Sequence, residues 1–183
     1  MQAECRFSLS VMNDDYAAMI MNAIACVDVS RVQSHTDALS TTYRGGIGHT
    51  VDALRSCFII INDRKTHITM EAAFTKGGSD GIQTVALSRQ AIPDAAFDVL
   101  AKYAVYPLGT METTPYIMYT EQLAKDSGIF TNQAPYGAEL YGDEKSIFAF
   151  IQNALSYLDG ELERYALHIT LSVNSPSVNR RSK

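Results

Sequence analysis

His67-Ile68-Thr69-Met70 and His168-Ile169-Thr170-Leu171 are one short text written twice. Each copy lies about twenty residues or more beyond a glycine, Gly45 or Gly142, and follows an apolar run of helical period. Within each copy the period is two: Ile68, Met70 and Ala72 alternate with His67, Thr69 and Glu71, and Ile169, Leu171 and Val173 alternate with His168, Thr170 and Ser172. Such alternation belongs to a strand with one buried face. The pair therefore predicts an internal duplication in which each His-Ile-Thr strand closes one repeat, with the two histidines at equivalent strand beginnings.

Working back from the first copy, Val51, Leu54, Phe58 and Ile61 recur at helical spacing from about Gly48 to Ile61, ended by Asn62-Asp63. Before them, Arg31 to Thr36 and Leu39 to Arg44 read as the arms of a hairpin. Asn13-Asp14-Asp15 offers a cap for a helix bearing Tyr16, Met19, Ile20, Ala23, Ile24 and Val27 on one face. Cys5 to Met12 alternates as a first strand. The order is β-α-β-β-α-β. Lys76-Gly77-Gly78-Ser79-Asp80-Gly81 breaks the pattern and opens a linker, with an extra strand expected at Ile82 to Leu87 and a short helix at Pro93 to Leu100.

The order then recurs: a strand at Lys102 to Leu108, a helix at Pro115 to Ser127 stopped by Gly128, and strands at Ile129 to Gln133 and Tyr136 to Tyr141. A helix opened by Gly142-Asp143 and the second His-Ile-Thr strand complete it. The fold class expected is α+β: tandem ferredoxin-like (βαββαβ) repeats, each an antiparallel sheet with both helices on one face. Residues 1–75 form repeat one, 76–100 the linker, 101–174 repeat two, and 175–183 a basic, disordered tail. The open sheet face is expected to carry Ser8, Ser10, Ser40, Thr42, Arg44, His67, Thr69 and Glu71.

At 183 residues with 46% apolar content the chain can bury a real core. Its formal net charge is -5, and setting aside Arg180, Arg181 and Lys183 of the tail leaves -8, a balance that argues against nucleic acid. No signal peptide and no apolar run of membrane-spanning length is readable. Cys5, Cys26 and Cys57 are odd in number and lack CxxC spacing, as reduced thiols of a cytoplasmic protein do.

No HExxH, P-loop, GxGxxG or GxSxG pattern occurs. His67 and His168 could serve as general bases, but a strand histidine donating to a neighbouring carbonyl is the commoner arrangement. The cysteines lack a basic neighbour that would lower a thiol pKa, and His35 and His49 stand apart from any acidic pair, so neither a nucleophile nor a metal site is expected. The hairpin Thr36-Asp37-Ala38-Leu39-Ser40-Thr41-Thr42-Tyr43-Arg44-Gly45 concentrates an acid, hydroxyls and an arginine. Its counterpart, Ala134 to Gly142, carries Glu139 and two tyrosines instead. Divergence in the polar residues on a kept framework points to two unequal pockets.

Arg6-Phe7-Ser8-Leu9, Asp14-Asp15, Thr36-Asp37-x-x-Ser40-Thr41 with Arg44-Gly45, Tyr106-Pro107, and His168-Ile169-Thr170 with Asn174-Ser175-Pro176-Ser177 together resemble the YkoF family over nearly the whole chain. The resemblance implies tandem ferredoxin-like repeats that bind thiamine or its hydroxymethylpyrimidine half, form homodimers and serve thiamine precursor uptake or salvage, with no enzymatic reaction and no cofactor beyond the ligand. Where family members carry Tyr-Pro after the first strand of both repeats, this chain has Ser10-Val11 in the first. An aminopyrimidine needs a flat apolar slot and a few convergent polar groups. Ser40, Thr42 and Glu139 suit the polar role, and Phe7, Met12, Tyr106 and Tyr136 suit the walls. Thr41, Arg44 and Leu108 complete the expected ligand-binding set. Two other readings stay open: a small enzyme using His67 or His168 as base, and a regulatory module acting through protein partners.

Overall fold

A computed structural model describes residues 1–76 and 95–177. The elements run β1 (Gln2–Val11), α1 (Tyr16–Cys26), β2 (Val32–Thr36), β3 (Thr41–Gly46), α2 (Ile47–Ile61) and β4 (Ile68–Lys76). They continue with β5 (Asp98–Leu108), α3 (Thr114–Asp126), β6 (Phe130–Ala134), β7 (Gly137–Asp143), α4 (Glu144–Glu161) and β8 (Arg164–Val173). This is βαββαβ twice, as the period changes require. Local chemistry places the helix ends: Asp143 accepts from the Ser146 N–H at the start of α4, Pro115 stands in the first turn of α3, and Gly128 at φ +70 follows its end.

The strands do not form two sheets but one, antiparallel throughout, in the order β2-β3-β1-β4-β8-β5-β7-β6. β4 pairs with β8 from Ile68↔Val173 to Thr75↔Ala166. Each of these strands would be the unpaired edge of its own repeat, so joining them removes two exposed edges at once. Helices α1, α2, α4 and α3 touch in that sequence over one face, where Cys5, Phe7, Tyr43, Met70, Phe74, Tyr103, Leu140, Leu167 and Ile169 are buried. Among the described residues the opposite face has no helix against it.

Hydrogen-bond register aligns the repeats residue by residue. Phe7 stands opposite Thr41 on one side and Ala72 on the other, while Tyr103 stands opposite Ala138 and Ile169. Phe7 thus corresponds to Tyr103, Thr41 to Ala138, and Ala72 to Ile169. Counting back, Met70 matches Leu167 and His67 matches Arg164. The two His-Ile-Thr copies are therefore four residues out of step: His67 immediately precedes β4, whereas His168 lies inside β8, opposite Ala73 and Ala104. The histidines are not equivalent. A slip of four, being even, leaves every side chain on its own face, which is why alternation alone cannot detect it.

The helix expected at Pro93 to Leu100 is corrected where it can be seen: Asp98 to Leu100 begin β5, with Val99 and Ala101 turned inward in the same period that continues to Leu108. The extra strand expected at Ile82 to Leu87, and residues 178–183 of the tail, lie outside the described residues. Among the described residues no helix is long and apolar enough to cross a membrane.

Candidate ligand-binding site

Helix α1 reads Tyr-Ala-Ala-Met-Ile-Met-Asn-Ala-Ile-Ala-Cys, apolar almost all round, yet only its Ala23 is buried. A helix of that composition ordinarily seats its apolar face on the sheet. Here Ala17, Ile20, Met21 and Ile24 instead roof a cavity of about 300 Å3, floored by Phe7 and Leu9 of β1 and closed at one end by the β2–β3 connection, Thr36 to Thr41. The loop that starts the helix is fixed by Asn13, whose Oδ1 accepts from the Asp15 N–H at 2.9 Å and whose Nδ2 donates to Thr66 Oγ1 at 3.3 Å. Asp15 occupies the capping position without a side-chain bond of its own, so the work expected of the acids falls to Asn13.

The connection is a rigid polar turn. Asp37 Oδ1 accepts from the N–H groups of Leu39 at 2.7 Å and Ser40 at 2.9 Å, and the Asp37 N–H donates to the Ser40 carbonyl at 3.0 Å. The Leu39 and Ser40 N–H groups hold the Asp37 carboxyl below the usual aspartate range. The hydroxyls of Thr36 and Thr41 lie 3.0 Å apart beside it. An ionised carboxylate and several hydroxyls thus stand at the end of an apolar slot.

The second repeat treats the same place differently. Register makes Ser40 the counterpart of Gly137 and Leu39 that of Tyr136. β1 and β3 part after Phe7↔Thr41, but β5 and β7 stay paired one step further, to Ala104↔Gly137, and then the Val105 N–H donates to the Tyr136 carbonyl at 2.8 Å. A Cβ on Gly137 would meet the Tyr103 carbonyl oxygen at 2.3 Å, so only glycine allows this approach. Tyr136 takes φ 62 and lays its ring 5.5 Å from that of Tyr106. Beneath, Gln133 Nε2 lies 3.4 Å from both carboxylate oxygens of Glu121 on α3, a bridge between hairpin and helix.

Of the residues expected to bind ligand, the structure brings Phe7, Ser40 and Thr41 together around the cavity. Met12 follows β1 as an exposed side chain. Thr42 and Arg44 alternate away from Thr41 and Tyr43 and so lie on the sheet face without helices, where Arg44 Nε is 3.7 Å from Glu4 Oε2. Tyr106, Leu108 and Glu139 lie on that same face in repeat two; Glu139 meets Lys102 Nζ at 2.9 Å and Asn132 Nδ2 at 3.3 Å. Tyr136 is at the hairpin tip, packed on Tyr106. Ser40, expected on the open face, lines the cavity because it sits in the turn, where strand alternation no longer holds. Missing from the expected set were Leu9, Ile20, Met21 and Asp37; only Asp37 carried a sequence signal, in its Asp-x-x-Ser turn.

His67 Nε2 lies 3.1 Å from Ser172 Oγ, with both residues among those alternating away from the core, and not on the cavity. Among the described residues no group of three or more His, Cys, Asp or Glu side chains is placed to hold a metal ion.

Comparison with known proteins bears on both repeats. The model of the YKOF-related family matches residues 2–79 and 98–178. A Bacillus subtilis (strain 168) protein named "Putative HMP/thiamine-binding protein YkoF" is 27% identical over 186 residues, covering 97% of this chain and 93% of that protein.

Proposed function

The chain belongs to the YKOF-related family, and from that premise we propose that it binds thiamine or its hydroxymethylpyrimidine half without chemical conversion, in support of precursor uptake or salvage in the cytoplasm. The observation that carries this reading is the cavity under α1. Its volume is that of a small-ligand site, and its walls are the side chains that a flat heterocycle requires. The aminopyrimidine offers an exocyclic amine donor and ring-nitrogen acceptors. Asp37 is suited to the amine, or to the positive charge of the thiazolium, and the hydroxyls of Ser40, Thr36 and Thr41 to the ring nitrogens. The relative's printed name, that of a binding protein, supports the non-enzymatic form of the reading.

Calorimetric titration with hydroxymethylpyrimidine and with thiamine tests it. Both ligands should bind the parent protein, and Ile20→Trp, which fills the slot from its roof, should abolish both heats. Absence of heat from the parent protein with both ligands at millimolar concentration removes the reading.

A homodimer is proposed on the same footing. The face without helices carries Leu100, Ala104, Thr69 and Thr170 and two ion pairs, Glu4 with Arg44 and Lys102 with Glu139, together with the exposed charges of Arg6 and Glu71. A second copy can cover it if it meets Arg6 and Glu71 with charges of opposite sign, as a two-fold arrangement of the same face allows. Sedimentation at micromolar concentration should give twice the 20.1 kDa chain mass; a single-chain mass would refute it.

A further inference from the structure

The parting of β1 from β3 leaves main-chain groups of the first repeat without a strand partner beside the cavity. In β1 the even residues direct their N–H and C=O toward β4, as the Met12 N–H to His67 carbonyl bond at 3.0 Å shows. The odd residues therefore face β3. Phe7 is the last of these to find a partner there, opposite Thr41. Leu9, the next, lines the cavity where β3 has already turned away into the Thr36 to Thr41 connection. Its counterpart Val105 has its N–H taken by the Tyr136 carbonyl at 2.8 Å. The corresponding bond from Leu9 to Leu39 is absent among the described residues.

We propose that the N–H and C=O of Leu9 read the aminopyrimidine edge of the ligand, which takes the place in the ladder that Tyr136 occupies in repeat two, and that the chain consequently binds one ligand, in repeat one. This deepens the function proposed above and rests on it. An aminopyrimidine carries a donor amine beside an acceptor ring nitrogen, the same donor-and-acceptor pairing that one strand residue shows another. Leu9 is half-buried and its N–H and C=O have no strand partner on this side, so a ligand that bonds to them is favoured over one that merely fits the slot. Thiamine and hydroxymethylpyrimidine share this edge, and the thiazole half lacks it. In repeat two the ladder is filled by the protein itself: Gly137 permits the approach to Tyr103, Tyr136 supplies the carbonyl, and Gln133 bridges to Glu121. A ligand there must first break those bonds.

Calorimetry and amide hydrogen exchange on the full chain, with hydroxymethylpyrimidine as probe, test the proposal. The expected result is one molecule bound per chain, with Leu9 amide exchange slowed about ten-fold or more at saturation and Val105 exchange, already slow, unchanged. A 2-methylpyrimidine bearing the hydroxymethyl group but no amine should bind about ten-fold more weakly or worse. Two molecules bound per chain, or saturation that leaves Leu9 exchange unaltered, overturns the proposal while the binding function stands. No binding at all overturns the function and this proposal together.

Discussion

Gly137 lies so close to Tyr103 that a Cβ on the glycine would stand 2.3 Å from the tyrosine's carbonyl oxygen, and the counterpart of that glycine in the first repeat is Ser40. One side chain thus separates a hairpin zipped onto its neighbouring strand from one that swings clear and borders a cavity. The difference is steric first: a serine in the second repeat would have to push the turn off β5, whereas Ser40 sits in a turn that has already left β1.

Gly137→Ser should therefore loosen the second hairpin. The Val105 amide, bonded to Tyr136 at 2.8 Å, should exchange with solvent faster, and the protein should lose about 1–3 kcal/mol of stability, the usual cost of forcing extra atoms into a packed site. Unchanged Val105 exchange with an unchanged denaturation midpoint would mean that the turn tolerates the side chain.

The two repeats are also bound together through Arg55 of α2 and Glu144 of α4. Nε and Nη2 of the arginine meet the two carboxylate oxygens at 2.7 and 2.8 Å, and Glu144 is fully buried. Such a bidentate pair is compact, but either member left alone is an uncompensated charge. Arg55→Leu should destabilise the chain by about 3 kcal/mol or more in urea denaturation, and the double variant Arg55→Leu with Glu144→Leu should recover a substantial part of that loss. A single variant as stable as the parent would contradict the assignment.

Asp37 gives a pH signature. Its pKa is lowered, chiefly by the Leu39 N–H and then by that of Ser40. The folded value lies below the unfolded one, so the turn's contribution is present above the ordinary aspartate value of about 3.9 and is lost as pH falls through the lower folded value. In an NMR titration the Leu39 amide should shift with a midpoint below about 3.9. A midpoint at or above that value would show that the carboxylate does not hold the turn.

Thiol labelling reports on the core. Cys5 and Cys57 are buried and Cys26 is exposed; burial pushes the Cys5 thiol well up and the Cys57 thiol to about 12. Thiolate is the reactive form. At pH 8 a disulfide reagent should therefore modify Cys26 alone in the folded protein and all three cysteines in denaturant. Rapid modification of Cys57 would indicate that α2 opens far more readily than its packing implies.

The βαββαβ order, the helix and strand boundaries to within a few residues, and the duplication were legible because they rest on local periodicity: Val51, Leu54 and Phe58 mark a helix, and Ile68, Met70 and Ala72 mark a strand, in any context. The residues that carried the family resemblance also stood in the sequence, Thr36-Asp37 and Ser40-Thr41 among them. Tertiary structure alone decided how the pieces meet. The joining of β4 to β8 into one sheet, and the four-residue offset between His67 and His168, depend on pairing between segments about a hundred residues apart. The site depended on it most. Thr42, Arg44 and Glu139 have the right chemistry but alternate onto the face away from α1, and the cavity is set by where a backbone ladder stops, after Phe7 in one repeat and at Val105 in the other. Side-chain identity reports that only through the single exchange of Ser40 for Gly137, because a main-chain hydrogen bond has no letter of its own.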